Sequence, residues 1–189
     1  MNKQPSDFGG LCFLADDQIS DNLMRRVVIV GANGAGKTCA AMALAAKHDL
    51  QLFHKDAFAL TRKWEQRSRD EVQAALVQAV TNDRWVLEGG PSILSSAVLS
   101  RATLVIWLDL PAGLRTWRVF RRSIRYLGRT RPEHPPENRD WPSLRQMRFL
   151  WRAFTDGPAF SVVIKARLHH ADMPILRLSR KADIARLLA

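Results

Sequence analysis

The sequence predicts an α/β fold in which a five-stranded parallel sheet is flanked by helices. Three observations lead to this prediction. A glycine-rich loop joins a short apolar strand to a helix, apolar strands then alternate with helical segments, and polar residues follow the strands at their carboxyl ends. Alternation of this kind favours parallel strands with helices on both faces of the sheet.

The glycine-rich loop is the most informative stretch. Residues Gly31 to Thr38 read GANGAGKT and match the P-loop pattern G-x-x-x-x-G-K-[ST]. Glycines let the backbone wrap around a phosphate, and the N–H groups at a helix start direct positive charge towards it. The pattern predicts that Lys37 binds the β- and γ-phosphates of ATP and that Thr38 ligates Mg²⁺. The expected nucleotide-binding residues of the loop are Gly31, Asn33, Gly34, Ala35, Gly36, Lys37, Thr38 and Cys39.

The alternative interpretation is an ordinary glycine turn that happens to end in Lys-Thr. The context argues against it, because residues 26–30 are β-branched and residues 38–46 are rich in helix formers.

The composition indicates one folded domain. The chain has 189 residues, of which 47% are hydrophobic and 25% charged. We expect an N-terminal extension over residues 1–24 and the domain over 25–189. Cys12 and Cys39 are too far apart to suggest a disulfide framework, and we expect Cys39 to be buried. No apolar run approaches a membrane span, so the predicted location is the cytoplasm, without a membrane partner.

The remaining strands and helices follow in order. Further strands are predicted over residues 50–53, 85–87, 104–108 and 174–178. Helices are predicted over residues 38–48, 68–80, 92–100, 112–126, 143–154, 158–169 and 179–188. The helix predicted over residues 92–100 is short. The helix predicted over residues 68–80 opens with the capping box Ser68-Arg-Asp-Glu71. Residues 57–67 are expected to form a mobile basic segment, and the proline-rich residues 127–142 a lid.

Three carboxylates end strands and should lie near the phosphate loop, because ligands of such sheets bind at the carboxyl ends of the strands. Glu88 is the first candidate for the Mg²⁺ shell. Asp56 could join that shell or accept a proton from a substrate hydroxyl. Either could instead be a turn residue, and we expect Asp109, before Leu-Pro, to be structural. His54 is more typical of packing or a turn than of a catalytic base.

Arginines supply most of the formal net charge of +11. They recur at three- and four-residue steps along the helix that leads into the lid, at positions 115, 118, 122, 125 and 129. Guanidinium groups stabilise the charge that develops during phosphoryl transfer, and we assign this role to Arg122, Arg129 and Arg131. The alternative is a solvated basic face, which explains Arg121. Tryptophans 117, 141 and 151 are expected to pack the lid helices against the body.

Several motifs resemble the P-loop kinases called DNA topology modulation (FlaR-type) proteins, which are relatives of adenylate kinase. The resemblance covers residues 26–188, and the matching pieces are GANGAGKT, His54-x-Asp56, WVLEGG from Trp85, WRVFRR from Trp117 and GRTRP from Gly128. It implies a nucleoside-monophosphate-kinase-like fold with a lid. It also implies that Arg118 stacks on adenine and that Arg122 contacts the transferring phosphates.

Two departures from the family patterns concern the acceptor. Glu88 stands where adenylate kinases have aspartate, and Ser92 stands where they have an arginine for the acceptor phosphate. The FlaR-type Asp-Gly-Asn-Tyr is Glu-Gly-Gly-Pro in this chain. AMP is therefore not assumed as the acceptor.

These observations predict a kinase that transfers the γ-phosphoryl group of ATP·Mg²⁺ to a small acceptor, most simply a nucleotide or nucleoside. A second hypothesis is a nucleotide-binding regulator that contacts DNA through its basic surface, and a third is a degenerate kinase fold retained for protein contacts. Nucleic acid is the less favoured partner, because no helix-turn-helix or zinc motif is recognisable. The oligomeric state is left open.

Overall fold

The computed structural model describes residues 20–59, 67–126, 144–169 and 171–189. The strands are β1 Arg26–Gly31, β2 Gln51–His54, β3 Trp85–Gly89, β4 Leu104–Leu108 and β5 Ile175–Leu178. The helices are α1 Lys37–His48, α2 Lys55–Ala59, α3 Arg69–Ala79, α4 Ser96–Leu99, α5 Ala112–Arg125, α6 Leu144–Leu168 and α7 Lys181–Leu188. Short 3₁₀ turns precede β1 and follow β3. The predicted lid and most of the predicted N-terminal extension lie outside the described residues.

The sheet confirms the predicted fold class. Its five strands are all parallel and lie in the order β2-β3-β1-β4-β5. The three central strands are buried almost throughout, as expected of apolar strands covered on both faces. Their register places the end of β1 between the ends of β3 and β4, so the loop that follows β1 starts at the middle of the sheet edge.

Two apolar layers hold the sheet. On one face, Val28 and Val30 of β1 belong to a cluster with Leu76 of α3 and Ile164 of α6. On the other face, Val27 and Ile29 of β1 cluster with residues of α1 and α7, namely Ala40, Ala41, Leu44 and Leu187. Successive side chains of a strand point to opposite faces, so β1 contributes to both layers. The strand that carries the phosphate loop is therefore held from both sides.

The capping box of α3 is present as predicted. The Ser68 hydroxyl accepts a hydrogen bond from the Glu71 N–H at 3.2 Å, and the Glu71 carboxylate accepts one from the Ser68 N–H at 2.9 Å. A cap of this kind stabilises a helix by about 1 kcal/mol. It also lowers the pKa of Glu71, chiefly through the hydrogen bond from the Ser68 side chain.

The prediction of two helices after the lid was wrong. Residues 144–168 form a single helix, α6, with Pro158 inside it. A proline removes one backbone donor, and helices can continue past it when packing holds both halves. Here Gly157, Ile164 and Leu168 are all buried. The residue just before the proline and the part of α6 that follows it are thus packed against the body.

Two smaller expectations also need correction. The chain over residues 57–59 is helical as part of α2, whereas a mobile basic segment was predicted over residues 57–67. Trp117 and Trp151 do not pack inward as predicted: their exposed fractions are 59% and 69%. Helical spacing gives the angular positions of these two rings around their helices. It does not show which side of each helix packs against the rest of the domain. Trp141 lies outside the described residues.

Within the ranges that the structure describes, no helix is both long enough and apolar enough to cross a membrane.

Candidate active site

The phosphate loop connects β1 to α1 and has the backbone that its glycines predict. Gly34 and Gly36 have φ angles of 79° and 96°, a region that glycine adopts without strain. Gly36 is the N-cap of α1 and offers no side chain to the first turn. The N–H groups at the start of α1 therefore lack a side-chain cap, and such groups are the usual ligands of an anion.

Lys37 is the first residue of α1, and its ammonium group folds back onto the loop. Its Nζ donates to the carbonyl oxygen of Ala32 at 3.1 Å. Burial lowers the pKa of Lys37, and the positive charges of Arg122 and Arg115 lower it further, against the opposing effect of Glu88 and Asp56. Lys37 is thus within electrostatic reach of two carboxylates and two guanidinium groups.

The Glu88 side chain connects its own strand, β3, with the end of β2 and the start of α1. Its Oε1 accepts a hydrogen bond from the Thr38 hydroxyl at 3.3 Å and lies 3.0 Å from Nδ1 of His54. The backbone explains this meeting, because His54 ends β2 and is the register partner of Glu88 in β3. Thr38 reaches the same oxygen from the first turn of α1. The carboxylate is therefore connected to both the phosphate loop and β2.

The charges around Glu88 favour its ionised form. Burial by itself raises the pKa of the carboxyl, but the hydrogen bond from His54 and the positive charge of Lys37 outweigh this effect, with help from Thr38. The net result is a pKa below the usual range. A carboxylate whose pKa is lowered stays ionised at neutral pH and is better suited to the surroundings of a cation than to proton transfer.

The residues fit the Mg²⁺ ion that the P-loop motif implies. The Thr38 hydroxyl and the Glu88 carboxylate are hard oxygen donors, and they lie next to each other at the phosphate loop. No group of three or more His, Cys, Asp or Glu side chains within the described ranges could hold a metal ion. Mg²⁺ bound with a nucleotide does not need such a group, because phosphates and water supply most of its ligands.

Asp56 is the second residue of α2 and is more open. Its side chain is 62% exposed, and its Oδ1 is 3.9 Å from Nζ of Lys55. Its charge still acts on Lys37. The structure thus places Asp56 at the rim of the site, on the side of β2.

The arginines of α5 occupy different environments. Arg118 donates through Nη1 to the carbonyl of Ala35, at 3.3 Å, and so lies against the phosphate loop. Arg122 is partly buried, whereas Arg121 and Arg125 are exposed, as the solvated-face interpretation predicted for Arg121. Arg129 and Arg131 lie outside the described residues, so their predicted roles stay predictions.

Arg115 differs from the other arginines that recur at helical spacing along α5. It is only 3% exposed and donates to two backbone carbonyls, those of Leu110 and Asn33. Its guanidinium is thereby committed to the backbone that surrounds the phosphate loop. Helical spacing grouped Arg115 with the other arginines, but only the packing of α5 shows that it faces inward.

Asp109 forms its side-chain hydrogen bonds with residues of β5 and α6. Its Oδ2 accepts from Nε of Arg177 at 3.0 Å, and its Oδ1 accepts from the Ser161 hydroxyl at 3.3 Å. The Arg177 guanidinium also lies over the Trp107 ring, 4.9 Å from its centroid. Asp109, Ser161 and Trp107 border a cavity of about 210 Å³ between the end of β4 and α6. This arrangement agrees with the structural role expected for Asp109.

Two sequence interpretations of the site need correction. Cys39, which was expected to be buried, is exposed. The residues of α1 that face the sheet are Ala40, Ala41 and Leu44, and Cys39 lies on another side of the helix. His54, which was weighed as packing or a turn, instead contacts Glu88. The sequence signal for this contact was that both residues end predicted strands.

Comparisons with known proteins agree with the fold. A family model for ATPases associated with various cellular activities (AAA) matches residues 27–109. A sugar kinase from Janibacter has a TM-score of 0.51 and 16% identity, and the alignment covers 87% of this chain and 90% of that one. A shikimate kinase from Bacteroides thetaiotaomicron has a TM-score of 0.51 and 18% identity, with 87% and 94% covered. No curated protein matches the chain in sequence.

The sheet order, the phosphate loop and these similarities together define the class: the chain has the P-loop NTPase fold in its kinase-like form.

Proposed function

We propose that the protein is an ATP-binding kinase that transfers the γ-phosphoryl group of ATP·Mg²⁺ to a small acceptor, most simply a nucleotide or nucleoside. The observation that carries the proposal is the meeting of Lys37, Thr38 and Glu88 at the phosphate loop. Ammonium, hydroxyl and carboxylate are the groups that phosphoryl transfer needs for phosphate binding and for a metal ion.

Each residue has a specific task in this mechanism. The loop amides and Lys37 bind the β- and γ-phosphates, while Thr38 and Glu88 hold Mg²⁺, which neutralises phosphate charge when bound. Arg122, near Lys37, stabilises the negative charge that develops on the transferring group. Arg118, against the loop backbone, borders the place of the adenine ring. Asp56, at the rim, orients the acceptor hydroxyl and accepts its proton.

The lid completes the site. We propose that residues 127–142 close over the bound nucleotide and exclude water, and that Arg129 and Arg131 then reach the phosphates. Water-poor surroundings strengthen every interaction between these guanidinium groups and the transferring charge.

The resemblance to the FlaR-type kinases supports this assignment but leaves the acceptor open. Ser92 replaces the arginine that binds the acceptor phosphate in adenylate kinases, so the acceptor group of this protein differs from that of AMP or is bound by other residues. The sugar kinase and shikimate kinase of similar fold act on small hydroxylated molecules by their names, and such molecules belong in the test.

The experiment is a transfer assay with ATP·Mg²⁺ across nucleoside monophosphates, nucleosides, sugars and small hydroxy acids. Product formation is followed by ADP release and by mass spectrometry of the acceptor. We expect transfer to at least one acceptor and its loss in Lys37→Ala. ATP binding without transfer to any acceptor, or ADP release that does not depend on an acceptor, would contradict the kinase assignment.

A second candidate is a regulator that binds DNA through α5. This helix contains five arginines and no acidic residue, and Arg121 and Arg125 are exposed beside the exposed Trp117. Such a surface favours salt-dependent binding of polyanions. Binding of duplex DNA with a steep salt dependence that survives Lys37→Ala would favour this candidate, whereas weak binding that is lost at physiological salt would exclude it.

A further inference from the structure

The two oxygens of the Glu88 carboxylate have different surroundings. Oε1 accepts from the Thr38 hydroxyl and lies 3.0 Å from Nδ1 of His54. Oε2 has no hydrogen-bond partner within the part of the chain that the structure describes. A buried carboxylate with one engaged oxygen has its other oxygen available to a ligand.

The protonation of His54 follows from its partner. A carboxylate oxygen has no hydrogen to donate, and Oε1 of Glu88 already accepts one from the Thr38 hydroxyl. Nδ1 of His54 must therefore carry the hydrogen and donate it to Oε1. This tautomer puts a fixed donor on the side of Glu88 that faces β2.

Several features of the backbone bring His54 to this position. It is the last residue of β2, and α2 begins at the next residue, Lys55. Gly89 lies beneath this junction, and a Cβ at Gly89 would be 2.9 Å from Cβ of Lys55 and 2.8 Å from Cγ2 of Ile93. Glycine at position 89 thus lets the start of α2 lie close to the end of β3. The His54 side chain, 21% exposed, then meets Glu88, 10% exposed.

We propose that His54 is a positioning residue that fixes the Glu88 carboxylate, so that Oε2 faces the nucleotide-bound metal ion. The proposal rests on the function proposed above. The last torsion of a glutamate side chain is broad, so a carboxylate held by one long hydrogen bond can rotate. The contact with Thr38 is 3.3 Å and comes from α1, whereas that with His54 is 3.0 Å and comes from the neighbouring strand β2. Two donors on one oxygen define the plane of the carboxylate.

Partners that hold metal-binding carboxylates commonly change metal affinity or activity by about 10–100-fold when they are removed. His54 should act in this way, through Glu88 and without touching the nucleotide. Its loss should weaken the contribution of Mg²⁺ to nucleotide binding and leave the contribution of the phosphate loop intact.

The test uses isothermal titration with ADP, with and without Mg²⁺, on the full chain. The quantity compared is the ratio of the two ADP affinities, which isolates the effect of the metal ion. Thermal melting without ligand accompanies each variant and reports on its fold. No acceptor is needed for this measurement.

Three variants sharpen the test. His54→Ala removes the donor, His54→Asn places an amide N–H close to the position of Nδ1, and His54→Gln places it further out. We expect His54→Ala and His54→Gln to reduce the Mg²⁺ effect on ADP affinity by about tenfold. ADP affinity without Mg²⁺ should change less than about twofold, and His54→Asn should retain most of the effect. If His54→Ala does not fold, the difference between His54→Asn and His54→Gln tests the same point.

The outcomes are distinguishable. An unchanged Mg²⁺ effect in His54→Ala or His54→Gln would overturn the positioning role while leaving the proposed kinase in place. Equal loss in Asn and Gln variants with wild-type melting would also overturn it, because a donor at the right position would then not matter. Absence of ADP binding in the wild-type protein would overturn the proposed function and this inference together.

Discussion

The guanidinium of Arg115 donates through Nη1 to the carbonyl oxygen of Asn33, 3.2 Å away, and so ties α5 to the phosphate loop. Its Nε donates to the carbonyl of Leu110 at 3.0 Å. Gly157 of α6 leaves room for the same group, because a Cβ there would overlap Nη2. The loop, the start of α5 and the middle of α6 therefore share one buried cation, whose pKa is lowered chiefly by its burial.

Arg115→Lys is expected to destabilise the protein. Lysine keeps the charge, but its single ammonium group cannot reproduce the planar fork that reaches both carbonyls. A hydrogen bond to a charged group contributes about 1.5–3 kcal/mol, and losing one should lower the free energy of unfolding by about that amount. Urea denaturation measures the change. Arg121→Lys, on the exposed side of α5, is the matched control and should stay within about 0.5 kcal/mol of wild type. Equal stability of the two variants would contradict the structural role of Arg115.

Gly34→Ala and Gly113→Ala should have opposite effects on stability. Gly34 has a φ of 79°, and a Cβ there would be 2.8 Å from Cγ2 of Val119 and would also overlap the carbonyl of Arg115. Strain and overlap together should cost about 2–4 kcal/mol. Gly113 lies in α5 with nothing within 4 Å of its would-be Cβ, so alanine should stabilise by up to about 1 kcal/mol. Denaturant unfolding compares the two, and a neutral Gly34→Ala would show that the loop tolerates a side chain.

The fold could be predicted from the sequence because its signals are local. The P-loop motif needs a strand before it and a helix after it, and short apolar runs separated by helical segments indicate parallel strands. The order of the strands was not predicted, because the crossover rule gives the handedness of each connection and not which strands are neighbours. The single helix α6 was missed because Gly157-Pro158 is a typical break, and only the packing of Gly157 against Arg115 shows why the helix continues.

The site was predictable where a motif defines it and not where packing does. Lys37, Thr38 and Glu88 were identified from the P-loop and from a carboxylate at a strand end, and the structure brings them together. The contact of His54 with Glu88 depends on the register of β2 with β3, which sequence periodicity does not give. The inward orientation of Arg115 depends on which side of α5 the phosphate loop covers.

Lys37→Met should weaken nucleotide binding strongly and stabilise the ligand-free protein. Burial lowers the pKa of Lys37, so the folded protein binds this proton less tightly than the unfolded chain does. The resulting cost is present in full below the folded-state pKa and disappears as the pH rises from there towards the ordinary value of 10.5. Melting temperatures without ligand should therefore be higher for Lys37→Met at pH 7, and the difference should shrink in alkali.

The binding half of this prediction has its own measurement. The loss of charged hydrogen bonds to phosphate should weaken ADP binding by about tenfold to a hundredfold or more. Titration of both proteins with ADP tests it. Lys47→Met, on the same helix near its end, is the control and should change neither property substantially. A Lys37→Met protein that is less stable than wild type at pH 7 would contradict the account of the buried ammonium.

Asp109→Asn should reduce stability without changing nucleotide affinity. The carboxylate is engaged by Arg177 and Ser161, and the variant loses the charge that attracts the guanidinium. Both side chains are partly exposed, so the loss should be modest, on the order of 1 kcal/mol. Urea unfolding gives the stability and ADP titration the affinity. A large fall in affinity with normal stability would place Asp109 in the nucleotide site instead.

Glu88→Gln should remove a stabilising contribution that depends on pH. The folded-state pKa of Glu88 lies below the ordinary value of 4.5, because the His54 hydrogen bond and the Lys37 charge outweigh the effect of burial. As the pH falls, the unfolded chain therefore takes up this proton first. The contribution to stability is complete above pH 4.5 and is lost as the pH falls through the folded-state pKa. Wild type should then exceed Glu88→Gln in unfolding free energy at pH 7, and the two should converge in acid.

Glu71→Gln serves as a comparison, since its carboxylate is exposed and caps α3 away from the phosphate loop. Its stability difference should also shrink in acid, but its ADP affinity at pH 7 should equal that of wild type, whereas Glu88→Gln should lose most of the Mg²⁺ effect on ADP binding. A Glu88→Gln protein whose stability deficit grows on acidification would mean that the carboxyl is held in its neutral form, and the assignment of Glu88 to a cation would fail.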